Sequence, residues 1–171
     1  QGVIGWYMVE SGLVDKVDVS HFRLATHLFL AFVILSLCFW FILERYNIEA
    51  FTNKLPKNFL LSILILLFAQ IILGAFLAGL DGGLIYNTWP DMDGNFFPND
   101  AHPIIFFTID FLNTPSVIQF IHRLIAYILL AFIIYLNYLY LTKNLPKLPL
   151  LIFDLSILIQ MLLGIVTILS G

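Results

Sequence analysis

The stretch Leu60-Leu-Ser-Ile-Leu-Ile-Leu-Leu-Phe68 decides the fold class of this chain. Its apolar residues do not alternate with polar ones, as they would in a strand of a membrane β-barrel. Hydrocarbon offers no hydrogen-bond partners, so a segment this apolar must satisfy its backbone amides within its own helix. The stretch lies within a longer apolar segment, about 58–79, which is long enough to cross a bilayer.

Three further segments have the same character, at 22–43, 117–141 and 148–169, and residues 1–9 have that of the outer end of another helix. Of the 171 residues, 61% are hydrophobic and 11% are charged, and the mean hydropathy is +0.98. These values argue against a soluble domain, and the lack of a basic patch argues against a nucleic-acid partner. The sequence predicts an all-α membrane protein, a multi-span helical bundle with four full transmembrane helices and the end of a fifth, surrounded by the lipid bilayer.

The positive charges predict the orientation of the helices, because lysine and arginine accumulate in cytoplasmic loops. Two connections, at 44–57 and 142–149, are basic through Arg45, Lys54, Lys57, Lys143 and Lys147. The connections at 10–20 and 80–116 are acidic and are expected to face outside. Arg23 and Arg123 lie at the outer ends of their helices, against this trend, which indicates a specific anionic partner on the outer side.

Two histidines lie at the same depth in separate spans. His27 occurs in Arg23-Leu-Ala-Thr-His27-Leu and His122 in Gln119-Phe-Ile-His122-Arg123. Ionisable groups inside membrane helices are costly and usually functional, and imidazole is a common axial ligand of heme iron. Each ring is expected about 7–8 Å below the outer start of its helix. A heme at this depth would bring its propionates to the arginines, so His27, His122, Arg23 and Arg123 are the candidate heme-binding residues.

Other roles for these histidines stay open at this point. A histidine in a membrane helix can simply hydrogen-bond to a neighbouring helix. Zinc is disfavoured, because no cluster of Cys, His and Asp accompanies either residue. His21 and His102 lie at or beyond the interface and are expected to be solvated, and Cys38 is expected to be a buried, inert thiol.

An internal repeat of the form Gln-x-x-(Ile/Leu)-Gly occurs at 1–5, 70–74 and 160–164. The first and second copies are each followed by a histidine helix, so the third predicts another beyond residue 171. Duplicated halves of membrane proteins often hold one site each. Gln70 and Gln160 are expected to pack against a neighbouring helix rather than to contact a ligand. The chain also begins without Met, and we expect it to be a piece of a longer protein.

The outer loop from Ala78 to Pro115 is rich in turn residues and yet carries Tyr86, Trp89, Met92, Phe96 and Phe97. A solvated linker would not carry so many apolar groups. The loop is expected either to fold over the helix ends as a lid or to lie in the interface as an aromatic belt. Residues 104–112 are expected to form a short interfacial helix.

Three motifs together resemble the heme A synthase family, in the branch shared by proteobacteria and mitochondria. They are the two histidine motifs and the loop sequence Tyr86-Asn-Thr-Trp-Pro90, which is the most specific of the three. Gly5-Trp-Tyr-Met-Val-Glu-Ser-Gly-Leu13 is also similar to the outer end of the family's third helix. The resemblance therefore covers essentially the whole chain, as an internal fragment of such a protein.

The resemblance implies an eight-helix protein of two duplicated four-helix halves, each holding a heme-type molecule between two histidines. Residues 1–57 would end the N-terminal half, with helix end 1–9, histidine helix 22–43 and inner loop 44–57. Residues 58–171 would form the C-terminal half without its last helix, with helix 58–79, outer lid loop 80–116, histidine helix 117–141 and helix 148–169. His122 would then be the axial ligand of the heme b iron, and His27 would ligate the substrate-side heme iron.

The implied activity is oxidation of the C8 methyl group of heme o to a formyl group, which gives heme A for cytochrome c oxidase. The partner histidines and the family's outer-loop glutamate precede or follow this chain, so no catalytic residue is assigned and the fragment alone is expected to be inactive. Expected partners are a heme O synthase that supplies heme o and further copies of the protein. The expected location is the cell inner membrane (the mitochondrial inner membrane in a eukaryote), with the histidine ends outside.

Two other function classes stay open. A non-enzymatic, cytochrome b-like electron carrier would share the histidines but would not need the aromatic loop. A transporter built on repeats would use the histidines for proton coupling and would bind no heme.

Overall fold

The computed structural model of the protein describes residues 1–10, 19–46 and 54–171. Five α-helices dominate these ranges, which contain no β-strand: α1 (Gly2–Glu10), α2 (His21–Arg45), α3 (Lys57–Gly79), α4 (Pro115–Thr142) and α5 (Lys147–Ser170). Helices α2 to α5 are each long and apolar enough to cross a membrane. The predicted multi-span helical bundle is confirmed.

The helix boundaries lie within two residues of those expected from the apolar segments. Proline marks three of the starts, since Pro56 precedes α3, Pro146 precedes α5 and Pro115 is the first residue of α4. The first turn of a helix has no internal acceptor for its amide hydrogens, so proline costs nothing there. The predictions that rest on residues 11–18 and 47–53 lie outside the described residues.

Helices that are consecutive in the chain pack side by side, α1 on α2, α2 on α3, α3 on α4 and α4 on α5. One buried apolar cluster lies near the α4–α5 connection and consists of Leu55, Ile63, Leu136, Leu139, Leu145 and Leu150. A second lies at the level of the histidine motifs and consists of Ala25, Ala75, Phe76 and Ile118. Lys143 donates a hydrogen bond to the carbonyl of Lys54, so the two basic connections meet at one end of the bundle.

The surface of the helices is largely apolar, with Trp40 on α2 and Val166 on α5 among the exposed side chains. Such a surface is stable in the hydrocarbon of a bilayer, because an apolar side chain that faces lipid is already out of water. Cys38 is exposed on α2. The expectation of a buried thiol was therefore wrong, since an apolar run in a membrane helix does not say which face is covered by protein.

The start of α2 and the end of α3 are in close backbone contact. A Cβ atom added to Gly79 would lie 2.8 Å from Cα of His21, so this approach requires glycine. The His21 ring packs edge-on against Phe76, with ring centroids 5.1 Å apart, and among the described residues its buried Nε2 has no hydrogen-bond partner. The expectation that His21 is solvated was wrong, whereas His102 is exposed as expected.

The segment expected to form one interfacial helix at 104–112 forms two 3-10 helices instead, Pro103–Phe107 and Ile109–Asn113. Thr108 separates them in an extended conformation, with φ −119° and ψ 161°. The Nδ1 atom of His102 accepts from the amide of Ile104 and caps the first of the two. The break at Thr108 prevents a continuous helix, which the apolar pattern alone did not indicate.

Candidate functional site

His122 faces α3 and contacts a single polar side chain there. The amide nitrogen of Gln70 lies 3.1 Å from Nε2 of His122 and 3.1 Å from the backbone carbonyl oxygen of the same residue. The contact with the carbonyl is a hydrogen bond donated by Gln70. The contact with the ring is a second one in the tautomer whose Nε2 is unprotonated, and Nδ1 then carries the ring hydrogen. The expectation that Gln70 hydrogen-bonds to a neighbouring helix is confirmed, and the neighbour is the histidine helix.

His27 has the same relation to the helix that precedes it. The amide nitrogen of Gln1 donates to the backbone carbonyl of His27 at 3.1 Å. The glycine four residues after each glutamine also faces the ring. A Cβ atom would lie 3.2 Å from Cε1 of His27 if added to Gly5, and 3.5 Å from Cε1 of His122 if added to Gly74. In the first two copies of the repeat, the glutamine and the glycine therefore make the same contacts with the following histidine helix.

The third copy of the repeat lies on α5, where a Cβ added to Gly164 would meet nothing within 4 Å among the described residues. Gln160 is exposed on the same helix. Neither residue contacts a histidine in the part of the chain that the structure describes, and in this the third copy differs from the first two.

The ring nitrogens of both histidines fit the donor chemistry of a heme ligand. Nδ1 of His27 and Nδ1 of His122 are buried, and neither has a hydrogen-bond partner among residues 1–10, 19–46 and 54–171. A buried polar atom without a partner is costly, and it often marks a functional position. A neutral imidazole binds heme iron axially through its one unprotonated nitrogen, so iron at Nε2 of His122 would take the place of the Gln70 contact with the ring. No group of three or more metal-ligating side chains occurs in the same ranges, and the two histidines lie on separate helices.

Arg123 points away from His122, as expected for adjacent positions about 100° apart on a helix. Its guanidinium group donates to three loop carbonyls, those of Tyr86 at 3.0 Å, Thr88 at 2.9 Å and Asp91 at 2.7 Å. Its Nε atom is buried without a partner in the described part of the chain. The structure therefore places Arg123 as the anchor of the 80–116 loop, and its Nε–H group can donate to another acceptor.

Arg23 lies one helical turn above His27 and close to α1. Its guanidinium carbon is 5.3 Å from the centroid of the Tyr7 ring. A cation over an aromatic face at this distance is attracted by the ring quadrupole. Arg23 lies one turn before His27 on α2, and Arg123 is next to His122 on α4. The structure does not bring the two arginines into contact.

Side chains spaced four residues apart on α4 hold the outer loop in place. Gln119 donates to the Tyr86 carbonyl at 3.0 Å and Tyr127 to the Pro90 carbonyl at 3.4 Å, on either side of Arg123. Asn87 of the loop donates to the Ile168 carbonyl at 2.7 Å, near the end of α5. Gln119 is fully buried and Arg123 is 7% exposed. These bonds support the lid interpretation for this part of the loop.

The lid has its own internal structure. The Tyr86 hydroxyl donates to Oδ1 of Asp100 at 2.8 Å and accepts from the amide of Asn99 at 3.0 Å. Met92, 1% exposed, pairs with Asn95 through two backbone hydrogen bonds, and Gly94 takes a φ of 82° in this turn. A small pocket remains between the lid and α4, and it is lined by Pro90, Met92, Phe96, Phe120, Arg123, Leu124 and Tyr127.

The Tyr86 to Asp100 hydrogen bond makes the lid sensitive to acid. Burial raises the pKa of Asp100, but the neighbouring hydroxyl groups of Ser116 and Tyr86 together lower it by more, so its net pKa lies below the usual value. A carboxyl group with a lowered folded-state pKa stabilises the fold at neutral pH, and this contribution is lost as the pH falls through that pKa.

Tyr86→Phe should therefore destabilise the lid by about 1 kcal/mol at pH 7, because it removes one hydrogen bond and leaves the Asn99 amide without its acceptor. The difference in melting temperature between Tyr86→Phe and the unmodified protein should narrow at pH 3. Tyr46→Phe, at an exposed position, is the matched control and should melt as the unmodified protein does. A difference that is constant from pH 7 to pH 3 would contradict the role given to Asp100.

Comparison with known proteins agrees with this architecture. A sequence profile of the cytochrome oxidase assembly protein family, COX15-CtaA, matches residues 1–171. The chain is 57% identical over 171 residues to a heme A synthase of Pelagibacter ubique, covering 100% of this chain and 51% of that protein. It is 42% identical over 174 residues to a heme A synthase of Wolbachia pipientis wMel, covering 99% and 48%.

A heme A synthase of Rickettsia bellii is 44% identical over 178 residues, with 99% of this chain and 52% of that protein covered. The chain thus spans about half the length of the curated relatives it matches. No solved structure matches it significantly. On the full-length profile match and these identities, the chain belongs to the cytochrome oxidase assembly protein family COX15-CtaA.

Proposed function

We propose that the whole protein containing this chain is a heme A synthase, which oxidises the C8 methyl group of heme o to a formyl group. The relatives named heme A synthase, which match over essentially all of this chain, carry this proposal. The product would be heme A for cytochrome c oxidase, in agreement with the assembly role that the family's description names. The proposal makes the protein a membrane oxidoreductase that acts on heme o.

In this proposal His122 is the axial ligand of a heme b cofactor, and His27 ligates the iron of the heme o substrate. The support is chemical, since each ring has a buried nitrogen without a protein partner among the described residues. The chain offers one histidine to each site, so two separate irons are ligated rather than one shared iron. When bound, heme b supplies one-electron redox chemistry. The residues of this chain would bind, orient and enclose the hemes.

Arg23 and Arg123 are proposed to meet the heme propionates at the outer ends of the same helices. Arg123 keeps one buried donor, Nε, beyond the three bonds that hold the lid. Arginine suits carboxylates because its planar group donates in a fixed geometry. The lid would then exclude water from the outer face of the C-terminal site, since Arg123 would link it to the heme edge.

The orientation and location are part of the same proposal. Lys54 and Lys143 meet at one end of the bundle and the lid lies at the other, which under the positive-inside rule supports an outside location for the histidine ends. We propose the cell inner membrane as the location, or the mitochondrial inner membrane in a eukaryote. A heme O synthase as supplier and self-association of the whole protein complete the proposed partners.

Pigment extraction from the purified full-length protein tests this function. Produced in cells that make heme o, the protein is expected to yield heme b together with heme o or heme A on reversed-phase chromatography. Heme b alone would favour an electron carrier over the enzyme. A protein without heme absorbance would overturn both heme functions and leave a transporter.

A further inference from the structure

The first two copies of the repeat make one contact in common. Gln70 on α3 and Gln1 before α1 each donate, at 3.1 Å, to the backbone carbonyl of the histidine residue itself on the next helix. A carbonyl oxygen has two lone pairs, so it can accept this bond and keep its place in the helix. The bond fixes the height of each histidine relative to the preceding helix, and it does not use the ring.

The glycine of each copy lies one turn from the glutamine, on the same face of its helix. At Gly5 an added Cβ would press on the His27 ring, at 3.2 Å from Cε1, whereas at Gly74 it would make an ordinary contact at 3.5 Å with the His122 ring. Glutamine and glycine therefore act on different parts of the same residue. The first holds the backbone of the histidine, and the second leaves room for its ring.

The effect of removing the glutamine on heme affinity distinguishes a positioning role from a packing role. A hydrogen bond between membrane helices contributes only modestly to stability on average. Residues that orient a metal-ligating histidine have a much larger effect on the metal, typically 10–100-fold in affinity. A carboxamide bonded to the backbone carbonyl of the histidine residue is placed to have the second kind of effect, because this bond does not compete with iron for a ring nitrogen.

We propose that Gln70 and Gln1 are positioning residues, which hold His122 and His27 at the depth and ring orientation that heme ligation needs. This inference rests on the proposed function, in which the histidines are the iron ligands. It gives α1 and α3, which follow or carry these glutamines, a role in heme binding although neither helix supplies an iron ligand. It also explains why glutamine and glycine recur together four residues apart before each described histidine helix.

The test uses the full-length protein with Gln70→Met, which keeps the length and apolar character of the side chain and removes the donor. Ser62→Ala is the matched control, because Ser62 lies on the same helix and bonds only to its own backbone, at the Asn58 carbonyl. Three readouts are taken, heme b retained after washing, the low-spin ferric EPR signal, and the melting temperature. Ferric heme b is the probe in titrations of the stripped protein.

Gln70→Met is expected to bind heme b 10–100-fold more weakly and to shift the EPR signal of the remainder, while Ser62→Ala changes neither. An unchanged EPR signal and affinity in Gln70→Met would overturn the proposal, and so would a lower melting temperature alone. His122→Ala separates the two ideas. Retention of heme b in that variant overturns the proposed function, whereas a normal Gln70→Met beside a heme-free His122→Ala overturns positioning only.

The two glycines give a second test that does not depend on removing a polar group. Gly5→Ala is expected to shift the EPR signal of the heme bound through His27, because the new methyl group displaces the ring. Gly74→Ala is expected to leave the His122 site nearly unchanged, since its methyl group fits at 3.5 Å. Equal effects of the two variants, or a larger effect of Gly74→Ala, would contradict the proposal.

Discussion

The His122→Ala variant of the full-length protein is expected to lose most of its bound heme b. The ring is the only imidazole that this chain offers on α4, and its removal takes away an axial ligand for which Arg123 and Gln70 cannot substitute chemically. Loss of one ligand should lower heme affinity by at least about tenfold. The measurement is heme b per protein after purification, determined from the reduced spectrum in pyridine.

His102→Ala is the control for this experiment, because His102 is exposed and its Nδ1 atom bonds to the nearby Ile104 amide. It should retain heme b at the level of the unmodified protein. Unchanged heme content in His122→Ala, or equal loss in both variants, would contradict the ligand assignment.

The second large effect is expected at Arg123, where Arg123→Met should release the lid. The variant removes the charge-assisted hydrogen bonds to the carbonyls of Tyr86, Thr88 and Asp91, and all three bonds are 3.0 Å or shorter. Hydrogen bonds from a charged donor contribute about 1.5–3 kcal/mol each, and part of this is recovered when water reaches the freed carbonyls. A local destabilisation of at least about 2 kcal/mol is therefore expected.

Hydrogen exchange of the backbone amides in residues 82–98 measures this release. Exchange there should accelerate by more than about tenfold in Arg123→Met, and Arg123→Lys should fall between, because a lysine ammonium cannot reach three carbonyls in the same geometry. Arg45→Met removes an exposed arginine from the opposite end of α2 and is the control. Protection of the lid that is identical in all three variants would show that Gln119, Tyr127 and Asn87 hold it without Arg123.

The membrane-spanning helices, including the two that contain His27 and His122, could be predicted from the sequence. In a bilayer each apolar segment must satisfy its own backbone hydrogen bonds. Each predicted span lies within two residues of the helix found. The repeat of glutamine and glycine could also be seen, but its meaning could not. Whether Gln70 reaches a lipid, a ligand or His122 depends on the rotation of α3 against α4, which no local pattern records.

The wrong predictions for Cys38 and His21 also concern contacts between helices, which no local pattern records. Cys38 was expected inside and is exposed, since a membrane helix that is apolar all round gives no signal for its buried face. His21 was expected in water and packs on Phe76, because Gly79 lets the end of α3 approach the start of α2. The three loop carbonyls that receive Arg123 lie more than thirty residues before it, so its function as the anchor of the lid appears only in three dimensions.

The central claim is that His27 and His122 serve two different hemes, and the most direct measurement compares the pigments of two variants of the full-length protein. Extracted hemes are separated and quantified for His27→Ala, His122→Ala and the unmodified protein. The account requires His122→Ala to lose heme b, and His27→Ala to keep heme b and lose heme o and heme A. Loss of the same heme from both variants, or from neither, would contradict it.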